Sequence, residues 1–192
     1  MTESTDHELM QQIGQGSTPA FDELVRRWQG PLARIVSRLA GGDAQEDLCQ
    51  EVFVKVYLAR KRYRCDAPFS TWLYRIAVNV ARDRWRRQRG WLSFVDRLVT
   101  WSPEPSPDVR AAEAESHTAV RQAIDKLPLK QREALVLKHF GELTFPEVAQ
   151  ALNIPLSTAK SRVEAGLIEL RRELTRYQDR DCRTLSIQEP RP

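Results

Sequence analysis

The chain has 192 residues, 41% hydrophobic and 29% charged, with a formal net charge of +4. That balance suits one folded domain or two small ones and excludes a disordered polyelectrolyte. No stretch is apolar for long enough to cross a bilayer, and the polar, acidic first ten residues do not read as a signal peptide, so the expected location is the cytoplasm.

Apolar residues recur at helical spacing almost throughout, so an all-α fold is expected. Thr18 followed by Pro19 reads as an N-cap and first helical position, with Asp22 and Glu23 in the first turn. Leu32, Ile35, Val36 and Leu39 continue that helix, and Gly41 with Gly42 ends it. Asp43, with Glu46 three residues on, resembles a capping box that opens the next helix. There Leu48, Val52, Phe53 and Val56 form one apolar stripe, with Cys49 beside it. A loop over residues 63–69 follows, and Ser70 or Thr71 caps a strongly basic helix.

That helix contains RIAVNVARDRWRRQRG, residues 75–90, with six arginines against one acid, Asp83. Residues 55–91 hold eleven basic and two acidic side chains, whereas residues 1–54 hold four basic and nine acidic ones. Leu73, Ile76, Ala77 and Val80 form the inward stripe. Arg75, Asn79, Arg82 and Arg86, three and four residues apart, share another face. Ordinary helix surfaces mix both signs, so a band this basic points to a polyanion, each phosphate contact releasing counterions. An asparagine among the arginines suits base reading as well as phosphate binding.

The segment SPEPSPD, residues 102–108, carries three prolines and reads as a linker. Helical pattern resumes near Val109 and runs to Leu127, where Pro128 interrupts it. Residues 129–140 form another helix, ended by Gly141. Thr144 and Glu147 make a capping box for a short helix with Val148, Ala149 and Leu152 on its apolar face. Residues 153–156 turn the chain, and Ser157 caps a longer helix carrying Ala159, Val163, Leu167 and Leu170. A short helix, a tight turn and a longer helix form the helix-turn-helix pattern. Ser157, Thr158, Lys160, Ser161 and Arg162 would enter the major groove. An ordinary helical hairpin would look similar, but the basic helix upstream favours DNA.

Catalytic chemistry finds little support. Cys49, Cys65 and Cys182 are too far apart for a Cys-x-x-Cys motif and read as structural or incidental thiols. His7, His117 and His139 are scattered, so Asp43, Asp47 and Glu51 lack the histidines a nuclease-like metal site would use. No phosphate-cradling glycine loop occurs. No metal or cofactor is expected. A free-standing helix-turn-helix regulator and a nucleic-acid enzyme are the two alternative functions.

Taken in order, AFDELVRRW, DLCQEVFVKVY, FSTWLYRIAVNVARD, LPLKQREALVLKHF and the helix-turn-helix with STAKSR resemble a bacterial RNA polymerase sigma factor of the extracytoplasmic-function group, in the sigma-70 family. The resemblance covers roughly residues 5–176. It implies two small helical domains joined by a proline-rich linker: region 2 over 5–90, the linker over 91–110, region 4 over 111–176, and a tail, 177–192, expected to be disordered. The protein it implies is a non-catalytic alternative sigma factor that binds core RNA polymerase and directs promoter-specific initiation. DLCQE resembles the segment that docks on the β′ clamp helices, which implies Asp47, Gln50 and Glu51 in core binding; Glu51 could also simply pair with Lys55. The loop with Tyr63, Arg64 and Phe69 resembles the one that captures a flipped base of the −10 element, beside Trp72, Arg75, Asn79, Arg82 and Arg86. Trp72 reads equally well as core. Ser157, Thr158, Lys160, Ser161 and Arg162 match the −35-reading helix. The linker, with Glu104, Asp108 and Glu113, resembles the segment that threads the polymerase cleft. The implied partners are core polymerase, through its β′ clamp helices and β subunit, promoter DNA, and an anti-sigma factor, without membrane insertion. One departure is VEAG, residues 163–166, which puts Glu164 and Gly166 where the family usually has a basic residue. Glycine there costs about 1 kcal/mol relative to alanine, and an acid facing phosphate is unfavourable unless Glu164 accepts from a cytosine, so the common −35 preference is not assumed.

Overall fold

A computed structural model describes the backbone of residues 4–40, 45–95 and 113–185, and the side chains of residues 4–40, 46–87 and 119–176. Two groups of helices follow in chain order. The first comprises α1 (Asp6–Gly14), α2 (Thr18–Ala40), α3 (Gln45–Ala59) and α4 (Phe69–Val95), with a 3-10 turn at Arg60–Arg62 after α3. The second comprises α5 (Glu113–Lys126), α6 (Leu129–His139), α7 (Phe145–Leu152) and α8 (Leu156–Leu185). No strand occurs among the described residues, in line with the all-α expectation.

The helix ends refine the sequence reading. Ser17, not Thr18, caps α2: its Oγ accepts from the Ala20 amide at 3.4 Å. Neither Ser70 nor Thr71 caps α4, which already begins at Phe69; the Thr71 amide donates to the Pro68 carbonyl at 3.0 Å. Likewise α8 begins at Leu156, one residue before the expected cap Ser157, with the Ala159 amide bonded to the Pro155 carbonyl. The Thr144–Glu147 capping box is formed. Asp43 and the proline-rich linker lie outside the described residues. Helix α4 continues to Val95 and α8 to Leu185, past residues 90 and 176 where those domains were expected to end. Helix α1, not anticipated, has its own capping box between Thr5 and Glu8 and is tied to α2 by Arg27 and Asp6 at 2.8 Å.

The first unit buries Leu32, Ile35, Val36 and Leu39 of α2 against Leu48, Val52, Phe53 and Val56 of α3 and Leu73, Ala77 and Val80 of α4. These are the stripes read from the sequence, and burying them supplies most of the stabilisation. The second unit packs α6 against α8, where Gly166 is the point of closest approach. A Cβ there would meet Leu135 Cδ1 at 3.1 Å and the Gln131 carbonyl at 3.4 Å. Gly166 therefore serves helix packing. Asn153 ends α7 in the left-handed conformation (φ 54°, ψ 55°), a role asparagine tolerates, and so turns the chain into α8. Leu167, expected on the apolar face, is exposed instead.

The two units touch. Helix α4 packs on α7, and α2 on α5 and α6. One cluster of buried side chains runs from the first unit into Val136, Leu137, Leu143 and Val148 of the second. Gly141 lets the buried ring of Tyr74 approach: a Cβ there would lie 3.0 Å from Tyr74 Cε2 and 2.8 Å from the Leu137 carbonyl. Arg38 stacks its guanidinium 4.0 Å from the Phe140 ring centroid.

Candidate nucleic-acid and polymerase interfaces

The outer face of α3 carries Asp47 and Gln50, both exposed, and Glu51, half-buried. Glu51 sits in an ionic network: Lys55 at 3.3 Å, Arg87 at 3.7 Å, and Asp83 reached through Lys55 at 3.6 Å. The i,i+4 pairing anticipated for Glu51 and Lys55 is thus present, and it joins α3 to the basic end of α4. Further along the same face stand Val54, 56% exposed, and Leu58, 71% exposed, beside Tyr57. Sequence reasoning missed these. Spacings of three, four and seven from Asp47, Gln50 and Glu51 could have found them, because they form a second apolar stripe on the side away from the core. Cys49, between the two faces, is a free thiol whose pKa is pushed up, first by burial and then by Glu46.

The loop and the start of α4 bring aromatic rings together. Tyr63 lies 5.0 Å from Trp72 and 6.0 Å from Phe69, in edge-on arrangements, and Phe69 packs on Trp28 at 5.4 Å. Phe69, expected at the −10 base, is buried behind Tyr63 and Trp72 and is not itself presented to solvent in this conformation. Trp72 is half-buried, packed against the core on one side and lining the surface pocket on the other. The Tyr63 hydroxyl is hydrogen-bonded to His7 Nδ1 of α1, and the two rings stack at 5.7 Å. Burial, chiefly, pushes the Tyr63 phenol pKa up. In front of these rings opens a pocket lined by Arg62, Arg64, Asp66, Ala67, Thr71, Trp72, Arg75 and, from α7, Gln150, so one carboxylate stands among its three guanidinium groups. Thr71 Oγ1 is buried and has no hydrogen-bond partner among the described residues.

The arginines of α4 do not behave alike. Arg75 and Asn79 are exposed, and Arg64 and Arg75 pair with no acid among the described residues. Arg86 is held by Asp83 of its own turn at 2.5 Å. Arg82 is diverted altogether. Its Nε and Nη2 each donate to a carboxylate oxygen of Glu133 on α6, at 2.6 Å, and Glu133 is only 2% exposed. The hydrogen bond to Glu133 holds the Arg82 pKa above its usual value. In this conformation Arg82 therefore contacts the second unit, not a solvent-borne ligand. The reason is a buried carboxylate on α6 that chain spacing does not reveal.

On α8 the five expected residues share the first two turns. Ser157, Lys160 and Ser161 are exposed, and Thr158 and Arg162 half-buried. Ser161 Oγ donates back to the Thr158 carbonyl at 3.1 Å. Lys160 and Arg162 pair with no acid among the described residues. Glu164 is exposed on the next turn. Among the described residues no helix is long and apolar enough to cross a membrane.

Comparison with known proteins agrees with this layout. Residues 24–90 match the family model for sigma-70 region 2, and residues 117–170 that for sigma-70 region 4. The ECF RNA polymerase sigma factor SigW of Bacillus subtilis is 31% identical over 176 residues, spanning 86% of this chain and 94% of the relative. The ECF RNA polymerase sigma-E factor of Escherichia coli K12 is 33% identical over 169 residues, spanning 83% and 88%. The solved structure of CnrH in complex with the cytosolic domain of CnrY superposes with a TM-score of 0.67 at 25% identity, covering 93% of this chain and 99% of that one. The sigma factor RpoE of Bartonella quintana, in complex with the anti-sigma factor NepR, shares the fold at a TM-score of 0.65 and 21% identity, covering 80% and 95%. The chain belongs to the sigma-70 family of RNA polymerase sigma factors, in its extracytoplasmic-function group.

Proposed function

We propose that this sigma factor divides promoter-specific initiation among three surfaces and performs no bond-making chemistry itself. The outer face of α3 docks on core polymerase. Asp47, Gln50 and Glu51 supply polar contacts suited to a basic partner, and Val54 and Leu58 supply the apolar area that makes such a contact hold. The pocket of Arg62, Arg64, Asp66, Thr71, Trp72 and Arg75 receives an unstacked base from the −10 element, its three arginines outweighing the one carboxylate for the phosphate, with Tyr63 and Phe69 bracing Trp72. Asn79 reads a base edge next to it. The first turns of α8 enter the major groove of the −35 element, with Lys160 and Arg162 on phosphates or guanines.

One observation carries the reading. A pocket with arginines, an aromatic side and a buried hydroxyl unpartnered among the described residues lies on the same chain as a helix-turn-helix whose leading cations pair with no acid among them. A duplex-binding regulator needs only the second. The resemblance to structures solved with CnrY and NepR supports an anti-sigma partner for this chain too. It works where the polymerase works, in the cytoplasm. The test is multi-round transcription by purified core polymerase on genomic promoter fragments, with and without the protein. Discrete new transcripts on addition are expected. Silent core, with the protein alone shifting duplex DNA, would instead make it a free-standing regulator.

A further inference from the structure

We propose that His7 of α1 is a positioning residue for strand capture: it holds the Tyr63 hydroxyl, Tyr63 holds the Trp72 ring, and the side of the pocket is thereby set before a base arrives.

Three separate elements meet in this chain of contacts. His7 lies in the first turn of α1, 56 positions before Tyr63. Its Nδ1 is hydrogen-bonded to the Tyr63 hydroxyl, and the two rings stack at 5.7 Å. Burial, chiefly, raises the Tyr63 pKa, so the phenol keeps its proton for this bond. Tyr63 in turn meets the Trp72 ring edge-on at 5.0 Å. Trp72 has a second brace, Phe69 at 5.9 Å. The two braces are fixed by different means. Phe69 is buried against Trp28 and needs no polar tie. Tyr63 is half-buried where the chain leaves the 3-10 turn, and among the described residues its hydroxyl bonds to His7 alone. Without that bond Tyr63 can turn away from the indole, and Trp72 keeps one brace of two.

His7 is itself anchored. Leu9, Met10 and Ile13 bury the inner face of α1. Just ahead of His7, Arg27 of α2 donates to Asp6 at 2.8 Å and to the Ser4 carbonyl at 3.0 Å. Helix α1 also packs on the 3-10 turn at Arg60–Arg62, from which Tyr63 departs. A captured base stacks on an aromatic plane, and a plane still free to turn must be ordered as the base lands. His7 moves that ordering into folding. Neither His7 nor Tyr63 lines the pocket, so the effect reaches the base through Trp72.

The inference rests on the base-capturing role proposed for the Trp72 pocket, and the experiment tells the two apart. Holoenzyme is mixed with a promoter fragment identified by transcription and carrying a fluorescent base in its −10 element. Varying the holoenzyme concentration separates closed-complex affinity from the rate of strand opening. His7→Ala and Tyr63→Phe should each slow opening about fivefold and leave closed-complex affinity alone. The double variant should be no slower than the slower single one, because both changes remove the same bond. His7→Asn, whose amide still reaches towards the hydroxyl, should recover most of the rate. Circular dichroism checks folding, and Tyr63→Phe, which removes one oxygen atom, decides the matter if His7→Ala does not fold. Opening at the wild-type rate in either folded single variant overturns the proposal, and so do losses that multiply in the double variant. An equal drop in closed-complex affinity and opening rate also overturns it, leaving His7 a part of the fold alone. Trp72→Ala tests the pocket separately. Wild-type opening there overturns the base-capturing reading, whereas slow opening there with fast opening in His7→Ala overturns only the positioning role.

Discussion

On α4 much of the positive charge is already bound to acids of the same chain; on the first two turns of α8 none is, among the described residues. Arg82 is held by Glu133, Arg86 by Asp83, and Arg87 reaches Glu51, whereas Lys160 and Arg162 pair with no acid among the described residues. Charge density and available charge are therefore different quantities. The arginine band of α4 offers its ligand chiefly Arg75 with the loop residues Arg62 and Arg64, while the first two turns of α8 offer both of their cations, Lys160 and Arg162. Electrostatic attraction scales with the cations that can meet phosphates, so the two surfaces are nearer in strength than composition implies.

The largest expected effect lies outside both surfaces and sets their scale. Leu58→Asp, on the exposed α3 face, should weaken association with core polymerase about 30-fold, the loss of a central apolar anchor. Fluorescence anisotropy with labelled sigma factor would measure it, and an unchanged affinity would move the docking face elsewhere. Next, Gly141→Ala should lower stability by about 1–3 kcal/mol, since its Cβ would crowd both the Leu137 carbonyl and Tyr74. Thermal unfolding decides this, and a neutral result would mean the two units are looser than their packing indicates. Asn79→Ala should cost about 1–2 kcal/mol at one −10 position and little at the others. Equal loss across all −10 variants, in competition binding, would remove the base-reading role. The most direct sharpening of the comparison is smaller. Arg75→Ala and Lys160→Ala should each reduce the salt slope of holoenzyme–promoter binding by about 1. Arg86→Ala should reduce it less, because Asp83 already neutralises that guanidinium. Equal slopes for Arg75→Ala and Arg86→Ala would show that DNA strips Arg86 from Asp83.

The fold was largely legible because its core is periodic. The stripes of α2, α3 and α4, the Thr144–Glu147 box and the turn at Asn153 depend on residues within a few positions of one another. The residue types of the candidate site were legible, but not their availability. That Arg82 would meet Glu133, 51 positions away, depends on how two helical units pack, and no local spacing encodes it. Phe69 illustrates the converse. Its place in an aromatic cluster was visible, but its burial depends on Trp28, a residue of another helix. Gly166 looked like a defect facing DNA and proves to be the place where α8 meets Leu135.

Helix α1 has a practical corollary for anyone handling the protein. Its leading end is fastened to Arg27 through Ser4 and Asp6, and His7 props Tyr63, which in turn leans on Trp72. An affinity tag or fluorescent fusion added ahead of Ser4 would emerge beside this prop, close to the wall of the pocket. Cargo attached there would crowd the pocket, and a sluggish preparation would then reflect its label and not its sequence.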